Sequence, residues 1–167
     1  MSEEDGPKLA LRHSRVLFCG SRTWATDGMD IDPYDYSKGP QYDHGSSDAQ
    51  LQIAVMKGLY ERHKQRAENG ENFVIIEGGA PGADSVAWAF ADWNQMMWAD
   101  VEHLHFEADW KRLGRKAGFV RNSQMLTQGR PNLVVAFTHD LAKSNGTRMM
   151  VDIARKAFVE TYVVGNG

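Results

Sequence analysis

Five short apolar runs, at residues 16–19, 73–76, 101–106, 133–137 and 159–164, alternate with four longer segments of helical character at 48–68, 83–98, 115–128 and 147–158. No other feature constrains the chain as much. The runs VLFC, FVII and LVVAF are continuously apolar, as a strand must be when helices cover both faces of its sheet. Strand, helix, strand in succession makes βαβ units. The expected fold class is therefore α/β: a Rossmann-like three-layer sandwich whose mostly parallel five-stranded sheet carries helices on both faces. A chain of 167 residues suffices for one such core. Residues 15–164 are read as a single domain, 1–14 as a flexible tail and 24–47 as a long loop insert.

The formal net charge of -3 argues against broad coating of nucleic acid, which shows as a basic balance. The first residues, MSEEDGPKLALRHS, lack the apolar stretch of a secretory signal, and no run of about 18 apolar residues follows, so no membrane is expected. Cys19, the lone cysteine, has no partner within the chain, which points to a reducing, cytoplasmic setting. The insert is rich in Gly, Asp, Tyr and Pro and reads as a lid or binding loop. Its acids between Asp27 and Asp43 do not have the spacing of a calcium loop.

An open parallel sheet binds ligands outside the carboxyl ends of its strands. After the first strand come Gly20, Ser21 and Arg22: close backbone approach, a hydroxyl and a guanidinium fork for phosphate. After the second comes EGGAPGADS. It fails both the G-x-G-x-x-G and the Walker spacing, yet offers Gly78, Gly79 and Gly82 at a helix start, where unpaired N–H groups attract anions. Asp84 in that turn either caps the helix or accepts from a ribose. After the fourth strand, Ser144, Asn145, Gly146 and Thr147 surround another helix start.

On the helix 115–128, Arg121 and Asn122 are site candidates, while Lys111, Arg112 and Lys116 read as a solvated face. Trp24 or Tyr34 of the insert is assigned to stack on a base. His103 and His105 share one strand face, but no third ligand is placed, so they read as packing residues; no metal and no cofactor is expected. Met96, Met97 and Met125 read as core filler. Trp88, Trp93 and Trp98 sweep around their helix, which turns one of them toward a partner subunit.

The succession FCGSR, IIEGGAPGAD, AGFVRNSQM and SNGTRMM resembles the SLOG superfamily of Rossmann-like proteins, which holds the lonely-guy (LOG) phosphoribohydrolases and the fold of DNA-processing protein A. GGAPGAD, ADW, GRKAGFVRN and SNGT together are most similar to its small YspA-like branch, found in actinobacteria and their phages. The likeness covers residues from about 15 to 164. Cys19, Gly20 and Ser21 match the LOG turn after the first strand, Arg121 and Met125 its helix motif, and Gly146 and Thr147 its phosphate loop. Met150, however, stands where the LOG enzymes carry the glutamate that acts on the N-glycosidic bond.

The resemblance therefore implies a domain that binds a nucleotide or nucleotide derivative, with a phosphorylated ribose or an ADP-ribose-like group, as a ligand sensor or sequestering protein. The tryptophan turned toward a partner subunit makes a homodimer or higher homo-oligomer the expected assembly. The alternative is a phosphoribohydrolase acting on a nucleoside 5′-monophosphate, with Arg121 clamping phosphate and Asp84 or Glu77 supplying the acid. Binding of single-stranded DNA is a further alternative, which the acidic balance and the lack of interleaved aromatic and basic residues disfavour.

Overall fold

The strands and helices expected from hydropathy are present, at nearly the expected bounds, in a computed structural model that describes residues 13–25, 47–67, 70–97 and 100–165. In chain order they are β1 (Arg15–Gly20), α1 (Ser47–Arg66), β2 (Phe73–Glu77), α2 (Ala83–Met97), β3 (Val101–His105), α3 (Trp110–Leu113), α4 (Ala117–Thr127), β4 (Leu133–Phe137), α5 (Asn145–Lys156) and β5 (Glu160–Val164). Two 3₁₀ turns, Gly114–Lys116 and Leu141–Lys143, precede α4 and α5.

All five strands are parallel, in the order β3-β2-β1-β4-β5. The order reverses between β1 and β4, so the carboxyl ends of those two strands flank the crevice where such sheets bind ligands. Side-chain alternation divides the core in two. On one face Val16, Phe18, Phe73, Ile75, Leu133, Val135 and Phe137 pack against Ile53, Met56 and Tyr60 of α1 and against Val86, Ala87 and Phe90 of α2. On the other, Leu17, Cys19, Val74, Ile76, Val134 and Ala136 meet Met125 of α4 and Met150, Val151 and Ala154 of α5. Each large side chain buried this way contributes roughly 1.5–3 kcal/mol.

Several bounds differ from the sequence reading. Ser14 is buried and its carbonyl accepts from Val74 N at 2.7 Å, so the sheet begins inside the expected tail. Helix α5 starts two residues early, because Ser144 O already accepts from Arg148 N at 2.8 Å. Met125 is core as expected, but Met96 and Met97 are exposed at the end of α2. Tyr34, the acids between Asp27 and Asp43, and Trp98 lie outside the described residues. Among the described residues no helix is long and apolar enough to cross a membrane.

Candidate functional site

The loops after β1, β2 and β4 meet at one edge through three close approaches. A Cβ on Gly20 would lie 2.3 Å from Phe137 O and 2.6 Å from the Ala83 side chain, so only glycine lets β1, β4 and the start of α2 converge. Gly82, with φ of 91°, sits against Ser21 O, which a Cβ would meet at 2.4 Å. Arg121 packs over Gly78, where a Cβ would meet its Cδ at 2.7 Å. The carbonyl of Gly78 accepts from Arg121 Nη1, which ties α4 to the loop after β2.

Between these loops lies a cavity of about 460 Å³. Gly20, Ser21, Arg22, Asp84, Arg121 and Asn122 line it, together with Ser144, Asn145, Gly146 and Thr147 at the start of α5. Ten residues selected from sequence thus share one wall. Cys19 and Met150 line it as well, both buried. A second cavity, of about 500 Å³, lies beyond Arg22, Ala80, Trp110 and Arg121, which border both; Gly78 and Gly79 line this one.

The first cavity is positively lined. Arg22, Arg115, Arg121 and Lys143 face a single carboxylate, that of Asp84, in a chain whose overall charge is negative. Lys143 is partly occupied by Asp140 at 3.4 Å. The start of α5 adds to the field: Ser144 makes no side-chain cap bond, its hydroxyl being turned to Thr138 Oγ1 and Asp140 O, each at 2.9 Å. The helix dipole and first-turn N–H groups therefore lack a capping carboxylate or hydroxyl. Asn122 Nδ2 donates to Gly146 O at 3.2 Å and fixes that turn against α4.

Asp84 stands in the cavity wall and does not take the capping role that the sequence left open. Its Oδ2 accepts from Gly78 N at 2.9 Å and Ala80 N at 3.4 Å, so it braces the glycine loop rather than capping α2. Burial, followed by the charge of Glu77, pushes its carboxyl up to about 7, against the opposing pull of Arg121 and the two backbone N–H groups. Burial, helped by Asp84, also raises the Cys19 thiol far above its usual range, so Cys19 is a packing residue and not a nucleophile.

Three expectations are corrected. Trp24 is wholly buried, its Nε1 donating to Gln52 Oε1 at 3.1 Å and its ring 5.5 Å from that of Phe137, so it is core and cannot stack on a ligand. The aromatics at the cavity are instead Trp110, half exposed on the four-residue α3 and 5.8 Å beneath the Arg22 guanidinium, and the half-exposed Phe119. Glu77 is fully buried and lines neither cavity. Its Oε2 accepts from Gly79 N at 2.6 Å and its Oε1 from His103 Nε2 at 2.9 Å and from His105 Nδ1, which withdraws it as an acid for the cavity. Finally, Gly82 lines neither cavity and serves the approach to Ser21.

His105 carries a carboxylate at each ring nitrogen, Glu77 at Nδ1 and Glu107 at Nε2, 3.3 Å away. Burial opposes its protonation, but the hydrogen bonds and charge of Glu77, then of Glu107, outweigh that and raise its pKa.

No family model and no solved structure matches the chain. Over 95 residues it is 37% identical to the Gene 61 protein of Mycobacterium phage D29, a stretch that makes up 56% of this chain and 72% of that protein.

Proposed function

The chain belongs to the family of the phage Gene 61 protein, and we propose that its cavity binds a nucleotide or nucleotide derivative carrying phosphate on ribose, as in the SLOG superfamily and its YspA-like branch. The observation that carries this reading is the lining of the 460 Å³ cavity, four cations against one carboxyl at the switch point of the sheet. A cavity of that volume suits a nucleoside monophosphate or the ribose-phosphate end of a larger nucleotide. Phosphate would lie between Ser21, Arg22 and the first turn of α5, where a helix start and a guanidinium fork act on the same anion. The base would stack on Trp110, whose other neighbour is the Arg22 cation.

Binding without cleavage is favoured because Met150 fills the position of the LOG glutamate and Glu77 is turned away. The protein then acts as a ligand sensor or sequestering protein, in the cytoplasm and as a homo-oligomer. Hydrolysis of the N-glycosidic bond is a second reading with one observation in its favour: Asp84, in the cavity wall, holds its proton near pH 7, as a general acid does.

Calorimetric titration with nucleoside 5′-monophosphates and ADP-ribose tests the reading. At least one is expected to bind, and Arg22→Ala, an exposed and separable contact, to weaken it roughly 10- to 100-fold, the worth of a charge-assisted hydrogen bond. If none binds, the proposal fails. Release of free base that Asp84→Ala abolishes would replace binding by hydrolysis.

A further inference from the structure

We propose that Glu77, His103 and His105 form a binding site for a divalent transition-metal ion, Zn²⁺ by ligand chemistry, on the sheet face covered by α2. The strand register assembles it. His103 and His105 are two apart on β3 and so share a face, and Glu77 at the end of β2 is the direct cross-strand partner of His105. The three donor atoms, Glu77 Oε1, His103 Nε2 and His105 Nδ1, all lie within 4.8 Å of one another. Two imidazoles and one carboxylate are a common Zn²⁺ set that leaves a position open.

The surroundings are those of a ligand set. Gly79 N donates to Glu77 Oε2 at 2.6 Å, which fixes the carboxylate and presents Oε1 to the two rings. Glu107 Oε1 faces the outer nitrogen of His105 at 3.3 Å, the carboxylate partner that orients a metal-bound imidazole and holds its tautomer. The Trp88 ring, 4.5 Å from that of His105 and 5.9 Å from that of His103, covers both.

The contacts converge on one point: His105 faces a carboxylate oxygen with each nitrogen, and Glu77 Oε1 faces two rings at once. A divalent cation at the centre takes the lone pairs of His105 Nδ1, His103 Nε2 and Glu77 Oε1, and leaves the His105 Nε2 proton for Glu107. Tetrahedral bonds of about 2.0–2.1 Å set ligand atoms about 3.3–3.4 Å apart, so Glu77 Oε1 must withdraw from His103 Nε2 by about half an ångström and from His105 Nδ1 by nearly one, which side-chain rotation supplies. His105 lines the cavity of about 500 Å³ that also holds Gly79 and Arg121, so the site is reached from solvent through it.

The full chain, stripped with chelator and dialysed against Zn²⁺, is expected to retain one equivalent by elemental analysis. His103→Ala and His105→Ala should each weaken binding at least tenfold, and Glu107→Gln roughly 10- to 100-fold, the usual effect of losing an orienting partner. Circular dichroism reports whether each variant is folded. Co²⁺ gives a readout on the unaltered protein: an intense low-symmetry visible band is expected. No stoichiometric Zn²⁺, a Co²⁺ spectrum like that of the aqueous ion, or binding unchanged in both folded histidine variants would overturn the site.

Discussion

Asp84 is the residue on which the cavity's chemistry turns. A carboxyl at about 7 in the folded protein, against the ordinary 3.8, binds its proton more tightly when folded than when unfolded. Between those two values the folded state holds more protons, so the stability this carboxyl contributes is fully present below pH ~4 and is lost as pH rises to about 7. The loss approaches ~4 kcal/mol at about 1.4 kcal/mol per unit, then levels off. Asp84→Asn keeps an acceptor for Gly78 N–H and removes the titration. Denaturant unfolding from pH 4 to 8 is therefore expected to show a falling stability in the wild type that is flatter in the variant, and parallel curves would refute it. Sequence identified Asp84 and Glu77 as the acids that matter, yet could not tell their roles apart. The partners of Glu77 lie on another strand, and only the β2–β3 register brings them to it.

The central strands β1, β2 and β4 were legible because both faces of each are covered, so hydropathy alone marks them. Their loops were legible because glycines cluster where β1, β2 and β4 end, and most of those glycines are required by close approach. Helix α3 was not, since four residues carry no period, and with it the cavity's aromatic, Trp110, was missed. Trp24 misled for a related reason: it follows a glycine-bearing turn, but its indole returns to the core through Gln52 of α1, a contact no local pattern encodes. One element end invites a test. After α5, Phe158 adopts φ of 59° and is 97% exposed, a left-handed cap position that suits glycine. Relief of that conformation gives roughly 1–2 kcal/mol, and the added freedom of glycine in the unfolded chain takes back about 0.5–1 kcal/mol. Phe158→Gly is thus expected to raise the melting temperature by about 1–4 °C. A decrease would show that the phenyl ring packs against something, a second copy of the chain included.

Across the whole molecule, the cavity belongs to neither half of the sheet. Its wall is drawn from the end of β1, the start of α2, α3, α4 and the start of α5, and so from elements packed on both faces. A ligand there holds both half-cores together and binds only the folded chain. Its effect on stability then follows mass action: at one hundred times Kd it adds about 2.7 kcal/mol. For a domain of this size that is a rise of roughly 5–11 °C in melting temperature. The charge distribution sets how the rise depends on salt. The chain is acidic overall, so the attraction comes from the four lining cations, and their range contracts from about 10 Å at 0.1 M to about 3 Å at 1 M salt. Thermal unfolding with the tightest nucleotide from the titrations is expected to show the full rise at low salt and a smaller one at 1 M. Arg22→Ala, if it raises Kd a hundredfold, should cut the rise at the same ligand concentration to about 1–2 °C, because the added stability falls to about 0.4 kcal/mol. A rise that survives both high salt and Arg22→Ala would mean that the ligand is held by apolar contacts to Trp110 and Phe119, and that the phosphate is not what the cavity recognises.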